Sequence, residues 1–164
     1  MNKYIASGVS SKKTPLAMSK KKLLKFLFYE PVSSSAKSFV LLFARIIFGF
    51  LFLNHGLAKW QMFGEASEMF PDPLGIGATL SMWLALFAEV ICSLGFMIGA
   101  LYRLCLIPMI FTMCVAFFVV HAGDPLMVRE PALMFLTIFV LLYITGPGKY
   151  SVDGMLKSIY LRLG

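Results

Sequence analysis

The apolar positions of this chain fall into four long runs, at about 39–60, 76–98, 104–121 and 130–145, separated by short polar breaks. As a helix, the nineteen residues from Phe39 to Leu57 would span roughly 28 Å at about 1.5 Å per residue, close to the ~30 Å hydrocarbon core of a bilayer. The first break holds Glu65, Glu68 and the turn Pro71-Asp72-Pro73, and the second is very short. Pro108 stands near the start of the third run, where it would kink a helix, and the run ends on His121-Ala122-Gly123-Asp124-Pro125. Arg129-Glu130-Pro131 opens the fourth, with proline placed for a first helical turn, and Gly146-Pro147-Gly148 closes it. These periods predict an all-α fold, an integral membrane four-helix bundle.

Around the bundle the chain is polar. Residues 1–36 form a basic arm expected in the cytoplasm, and within it 20–29, KKKLLKFLFY, reads either as a short interfacial helix on an anionic leaflet or as a plain positive flank. Glu30-Pro31 breaks that pattern, and the serines that follow can start the first span, which is expected to be retained rather than cleaved. The transmembrane domain is drawn at 37–150 and a cytoplasmic tail at 151–164. Of the fifteen Lys and Arg residues, Lys59 and Arg129 fall on one side, Arg45 lies within the membrane, and the other twelve fall on the opposite side. Positive charge gathers in the cytoplasm, so both termini are predicted inside, in a multi-pass protein of a bacterial cytoplasmic (inner) membrane.

Composition narrows the class further. At 59% hydrophobic and 14% charged, with a mean hydropathy of +0.83, the chain is too apolar for a soluble domain, in which about 25% of residues are charged. Its 164 residues leave room for one membrane domain. The net charge of +7 sits mostly beside the first apolar run, which favours the lipid bilayer as partner and not nucleic acid. Cys92, Cys105 and Cys114 lack a CxxC or metal spacing and read as small buried hydrophobes; a dithiol would need two of them to meet between helices. With neither an HxxxH, a Cys/His cluster nor a haem-attachment motif, no metal site and no covalently bound cofactor are expected. Gly95 and Gly99 form a GxxxG, suited to close helix packing.

The charges inside the apolar runs are the candidate chemistry, because each costs on the order of 3 kcal/mol or more at the bilayer centre and must face a partner or a wet cavity. Arg45 and Glu89 lie about six and nine residues from the cytoplasmic ends of their runs, so an antiparallel hairpin predicts a structural ion pair between them. At the outer boundary His55 and Lys59, four apart, share one helix face. His121 arrives there from the third run, and Arg129 and Glu130 open the fourth. Together these five predict the mouth of a ligand pocket. Taken singly, each has a plainer explanation, as a snorkelling cation or a loop-bonded histidine.

The segments RIIFGFLFLNHGLAKW, PLGIGATLSMWLALFAEVICSLGFMIGALYRL, VVHAG and REPALMFLTIFVLLYITGPGKYSVD resemble the DoxX family of small bacterial and archaeal membrane proteins over about residues 38–154. The likeness rests on Arg45, the His55-Gly56-Lys59 element, Glu89, Arg103, His121, Glu130 and the closing GPGKYSVD. It implies four membrane helices and an association with redox and thiol-handling complexes, in some relatives as the small subunit of a thiosulfate:quinone oxidoreductase. The resulting expectation is a membrane subunit of a redox system, at most part of a quinone-linked oxidoreductase, in which His55, Lys59, His121 and Glu130 bind a quinone or a small anionic substrate. The chain carries no redox centre of its own, so electron transfer would need a redox partner protein. The alternative is a non-catalytic scaffold that recruits a partner. A small-solute transporter would require a homo-oligomer, since no inverted repeat is evident.

Overall fold

The computed structural model describes residues 34–163, so the arm up to residue 33 and its interfacial helix at 20–29 lie outside the described residues. Among the described residues four helices are long and apolar enough to cross a membrane: α1 (Ser34–Gln61), α3 (Ala78–Ile98), α4 (Tyr102–Val120) and α5 (Leu126–Thr145). A single turn, α2 (Phe63–Ala66), follows α1, and α6 (Val152–Leu163) follows the last span. Among the described residues all regular structure is helical.

The helix starts differ from those the apolar runs suggest. α1 begins at Ser34, five residues before Phe39, because Ser34-Ser35-Ala36-Lys37 carries no helix breaker and the Ser38 hydroxyl donates back to the Ser34 carbonyl at 2.8 Å. α5 begins at Leu126, not near residue 130. Pro125, at φ −55° and ψ 149°, is its extended entry residue. Pro131 therefore lies inside the helix, where it has no N–H to donate back along the chain. The segment 151–164, expected as a tail, is mostly the helix α6.

An aromatic and sulfur-rich centre joins the spans. Phe52 of α1 meets Phe135 and Phe139 of α5 at ring separations of 5.3 and 5.0 Å, and Phe139 continues to Phe96 of α3 at 5.7 Å. Phe96 stacks on Tyr102, whose hydroxyl donates to the Leu142 carbonyl at 3.0 Å. Outside this centre, Phe39, Phe43 and Phe50 of α1 and Leu104 and Phe111 of α4 are exposed, the pattern a lipid-facing surface requires. Between α3 and α4 the thiols of Cys92 and Cys105 interact, and Cys105 donates to the Ala100 carbonyl at 3.6 Å.

Small residues set the register of α1 against α3. A Cβ on Gly56 would lie 2.8 Å from the Cβ of Glu89 and from Val90 Cγ2, and one on Gly99 would overlap Arg45 Nη1. Gly56 therefore lies opposite Glu89, and Arg45 opposite the end of α3. Gly99 also adopts φ +72°, the left-handed conformation that ends α3.

Arg45 does not pair with Glu89. The register separates Arg45 from Gly56 by eleven residues, roughly 16 Å along α1, beyond the reach of the side chains. The error came from taking the ends of the two runs as level, when Arg45 itself stands level with Gly99 and the start of α1 overhangs the end of α3. Arg45 is instead 0% exposed and donates from Nη2 to the Tyr150 carbonyl, with its guanidinium 6.0 Å from the centre of the Tyr102 ring. Asp153 adds a favourable charge and accepts from the Leu101 and Tyr102 amides at 3.1 and 2.9 Å. The closing segment GPGKYSVD is thus a strap that Arg45 and Asp153 tie across the ends of α1, α3 and α4.

Candidate functional site: a buried ion pair between two cavities

Phe52, His55, Gly56 and Lys59 recur at the i, i+3, i+4, i+7 spacing, so one face of α1 carries them all. Phe52 enters the core, and Gly56 lets α3 approach. That approach places Glu89, 1% exposed, one turn below Lys59, and Lys59 Nζ donates to Glu89 Oε1. Lys59 keeps 32% of its side chain exposed, so one partner stays wet while the other is dry. A carboxylate this deep requires a cation, and Lys59 supplies it. The other oxygen, Oε2, has no hydrogen-bond partner among the described residues.

Two irregular helical segments frame the pair. Glu89 sits in a π-helical stretch, Phe87–Cys92, and a second, Ala116–Val120, ends α4 at His121, whose amide bonds five residues back to the Ala116 carbonyl at 3.0 Å. Such wide turns displace side chains from the regular helical face and recur at functional sites. His121 Nδ1 lies 2.7 Å from Asp124 Oδ2. A carboxylate only accepts, so the proton of that contact belongs to Nδ1 and Nε2 is left for another partner. His55 stands edge-on to Phe135, 5.6 Å between ring centres at 89°, and its field reaches Glu89.

The pair lies where two cavities meet. One, of about 170 Å³, is lined by His55, Phe52, Pro131 and Phe135; the other, of about 430 Å³, runs between α3 and α4 under the loop of Phe70, Pro71, Pro73 and Leu74. Lys59, Glu89, Met113, Ala116 and His121 border both. The larger volume is within the ~300–1,000 Å³ of small-molecule sites.

Of the five residues expected at the outer mouth, the structure brings together His55, Lys59 and His121. Arg129 and Glu130 border neither cavity. Because α5 begins before them, Arg129 turns to the α4–α5 connection, donating from Nη1 to the Ala122 carbonyl at 3.4 Å with its guanidinium 4.9 Å from the centre of the Phe117 ring. Glu130 is exposed. The residue missed is Glu89, assigned to Arg45 by depth. Its signal was the glycine spacing on α1, since Gly49 and Gly56 both mark where α3 lies closest. Among the described residues, no three His, Cys, Asp or Glu side chains gather as metal ligands.

Four spans enclosing a carboxylate, its lysine and two histidines at one end define a small multi-pass membrane protein with an internal polar site. This chain matches the DoxX family over residues 40–122, and it belongs to that family. The matched stretch carries Arg45, His55, Lys59, Glu89 and His121. A protein of Haemophilus influenzae described as uncharacterized is 27% identical over 128 residues, covering 73% of this chain and 85% of the relative. No solved structure matches.

Proposed function

We propose that this chain is the membrane subunit of a redox system of a bacterial inner membrane, and that the Lys59, Glu89, His55 and His121 cluster binds the head of a quinone. The observation that carries this reading is the buried pair set where two cavities meet. A quinone oxygen accepts hydrogen bonds and Lys59 Nζ is a donor bordering the space, while Nε2 of His121, without a proton when Nδ1 serves Asp124, accepts from the ring hydroxyl of the reduced form. Reduction of the ring takes up protons, and Glu89 and His55 can hand them on between the pocket and the boundary. In this reading the reaction's electrons come from a partner protein. The same pocket argues against a small anion: a dry carboxylate at its back repels one, and a single lysine is already committed to it.

The test is purification in native membrane patches with mass spectrometry of what is retained. The reading expects a quinone with the wild type and its loss from His55→Ala and His121→Ala. Stable partner proteins with no bound small molecule would overturn it in favour of a scaffold.

A further inference from the structure

The head site has a second half. The larger cavity has eighteen bordering residues, of which only Lys59, Ser81, Glu89, Thr112 and His121 are polar. Its polar end is the ion pair, its roof is the loop at Phe70–Leu74, and Leu84, Phe87 and Phe111 along its open side are about half exposed. Those three stand on spans, so in a membrane the opening faces acyl chains and not water. Pro108 lines the cavity and lies within α4.

We infer that the ligand is a neutral, lipid-soluble amphiphile that enters sideways from the bilayer between α3 and α4, seats its head at Lys59 and Glu89, and leaves its tail in the apolar groove. This rests on the head-site reading above and adds the ligand's class and its route. A neutral head follows from the charges: Lys59 and Glu89 cancel, so an anionic head meets a dry carboxylate and a cationic one meets the lysine. The head should also be able to donate, because Glu89 Oε2 has no partner among the described residues and a ligand hydroxyl would supply one. Phosphatidylcholine fails the second condition, since its head carries neither an N–H nor an O–H.

Two probes in nanodiscs of zwitterionic phospholipid separate the halves: an isoprenoid-tailed benzoquinol, whose hydroxyl can donate to Glu89 Oε2, and the same ring without its tail. Quenching of Trp60 and Trp83, corrected for partitioning into empty discs, reads binding. The tailed probe should bind at least tenfold more tightly. Ala85→Leu and Thr112→Phe, which narrow the groove, should remove that advantage and leave ring binding unchanged, whereas Glu89→Gln should weaken both probes alike. Equal binding of the two probes by the wild type, or a tail advantage that survives in both groove variants, overturns the groove and spares the head site. Binding of neither probe overturns the head-site reading and the groove with it. A measurement that needs no variant is photolabelling with a diazirine at the tail's end: label on α3 and α4 beside the groove supports the inference, and label confined to the outer face of α1 overturns it.

Discussion

At the scale of single residues the Lys59–Glu89 contact makes the sharpest demand. Removing one partner leaves the other charged and unmatched, a loss of about 3 kcal/mol or more for a buried ion pair. Lys59→Met and Glu89→Leu should therefore each destabilise strongly, and the double variant should cost clearly less than the sum of the two. Denaturation in detergent micelles measures this cycle. Arg45→Ala should also destabilise, but its effect should add to that of Glu89→Leu within about 0.5 kcal/mol, as for sites that share no partner. Coupling of 1 kcal/mol or more between Arg45 and Glu89 would contradict the register described above. The sequence marked every one of these residues as unusual, since a charge within an apolar run needs a partner. Which partner each takes was not legible, because depth counted along separate helices assumes that their ends are level, and here that assumption was wrong by about three turns.

Elements are where that register is decided. The glycine at position 56 sits against the backbone-proximal atoms of Glu89 and Val90, not against the flexible end of a side chain, so α3 must move to admit a methyl group. Gly56→Ala should lower the midpoint of thermal unfolding and weaken ligand retention together, while Gly64→Ala, with open space beside it, should do neither. A different device holds the start of α3. Asp72 accepts from the Ile76 and Gly77 amides at 3.0 and 2.8 Å and from the Ser81 hydroxyl at 2.8 Å. The Gly77 amide, foremost among these donors, holds its carboxyl below the usual carboxylate range. The folded state thus releases this proton more readily than the unfolded one, so the contribution is complete above the ordinary carboxylate value and is lost as pH falls through the lowered one. Exchange protection of the Ile76 and Gly77 amides should fade only in that acidic window, and in Asp72→Ala it should be weak at every pH. Spans were legible from apolar length alone, but the π-helical segments at Glu89 and before His121 were not. Each fits an extra residue into a turn, and no local pattern in FAEVIC or AFFVV records it.

Over the whole molecule the two polar levels do different work, a strap at one end and a pocket at the other. Lys149 Nζ reaches the Ser34 hydroxyl at 2.9 Å and its amide the Ser38 hydroxyl at 3.2 Å, so the start of α1 and the strap share the Arg45 end. Along the sequence that end carries the greater share of basic residues, and the positive-inside bias predicts that it faces the cytoplasm. Single cysteines in a chain with Cys92, Cys105 and Cys114 changed to Ala test this. An impermeant maleimide added to intact spheroplasts should label Gly123→Cys, beside which there is open space, and should leave Ser34→Cys unlabelled until the membrane is opened. The reverse pattern would invert the bundle. The pocket itself would survive such an inversion, since a groove that opens between α3 and α4 is reached from the bilayer in either orientation. What would change is the side on which the proton transfer proposed for His55 would take place: outside the cell membrane in the orientation argued here, and with the cytoplasm in the other. The labelling result therefore sets the direction in which any ligand-linked proton moves.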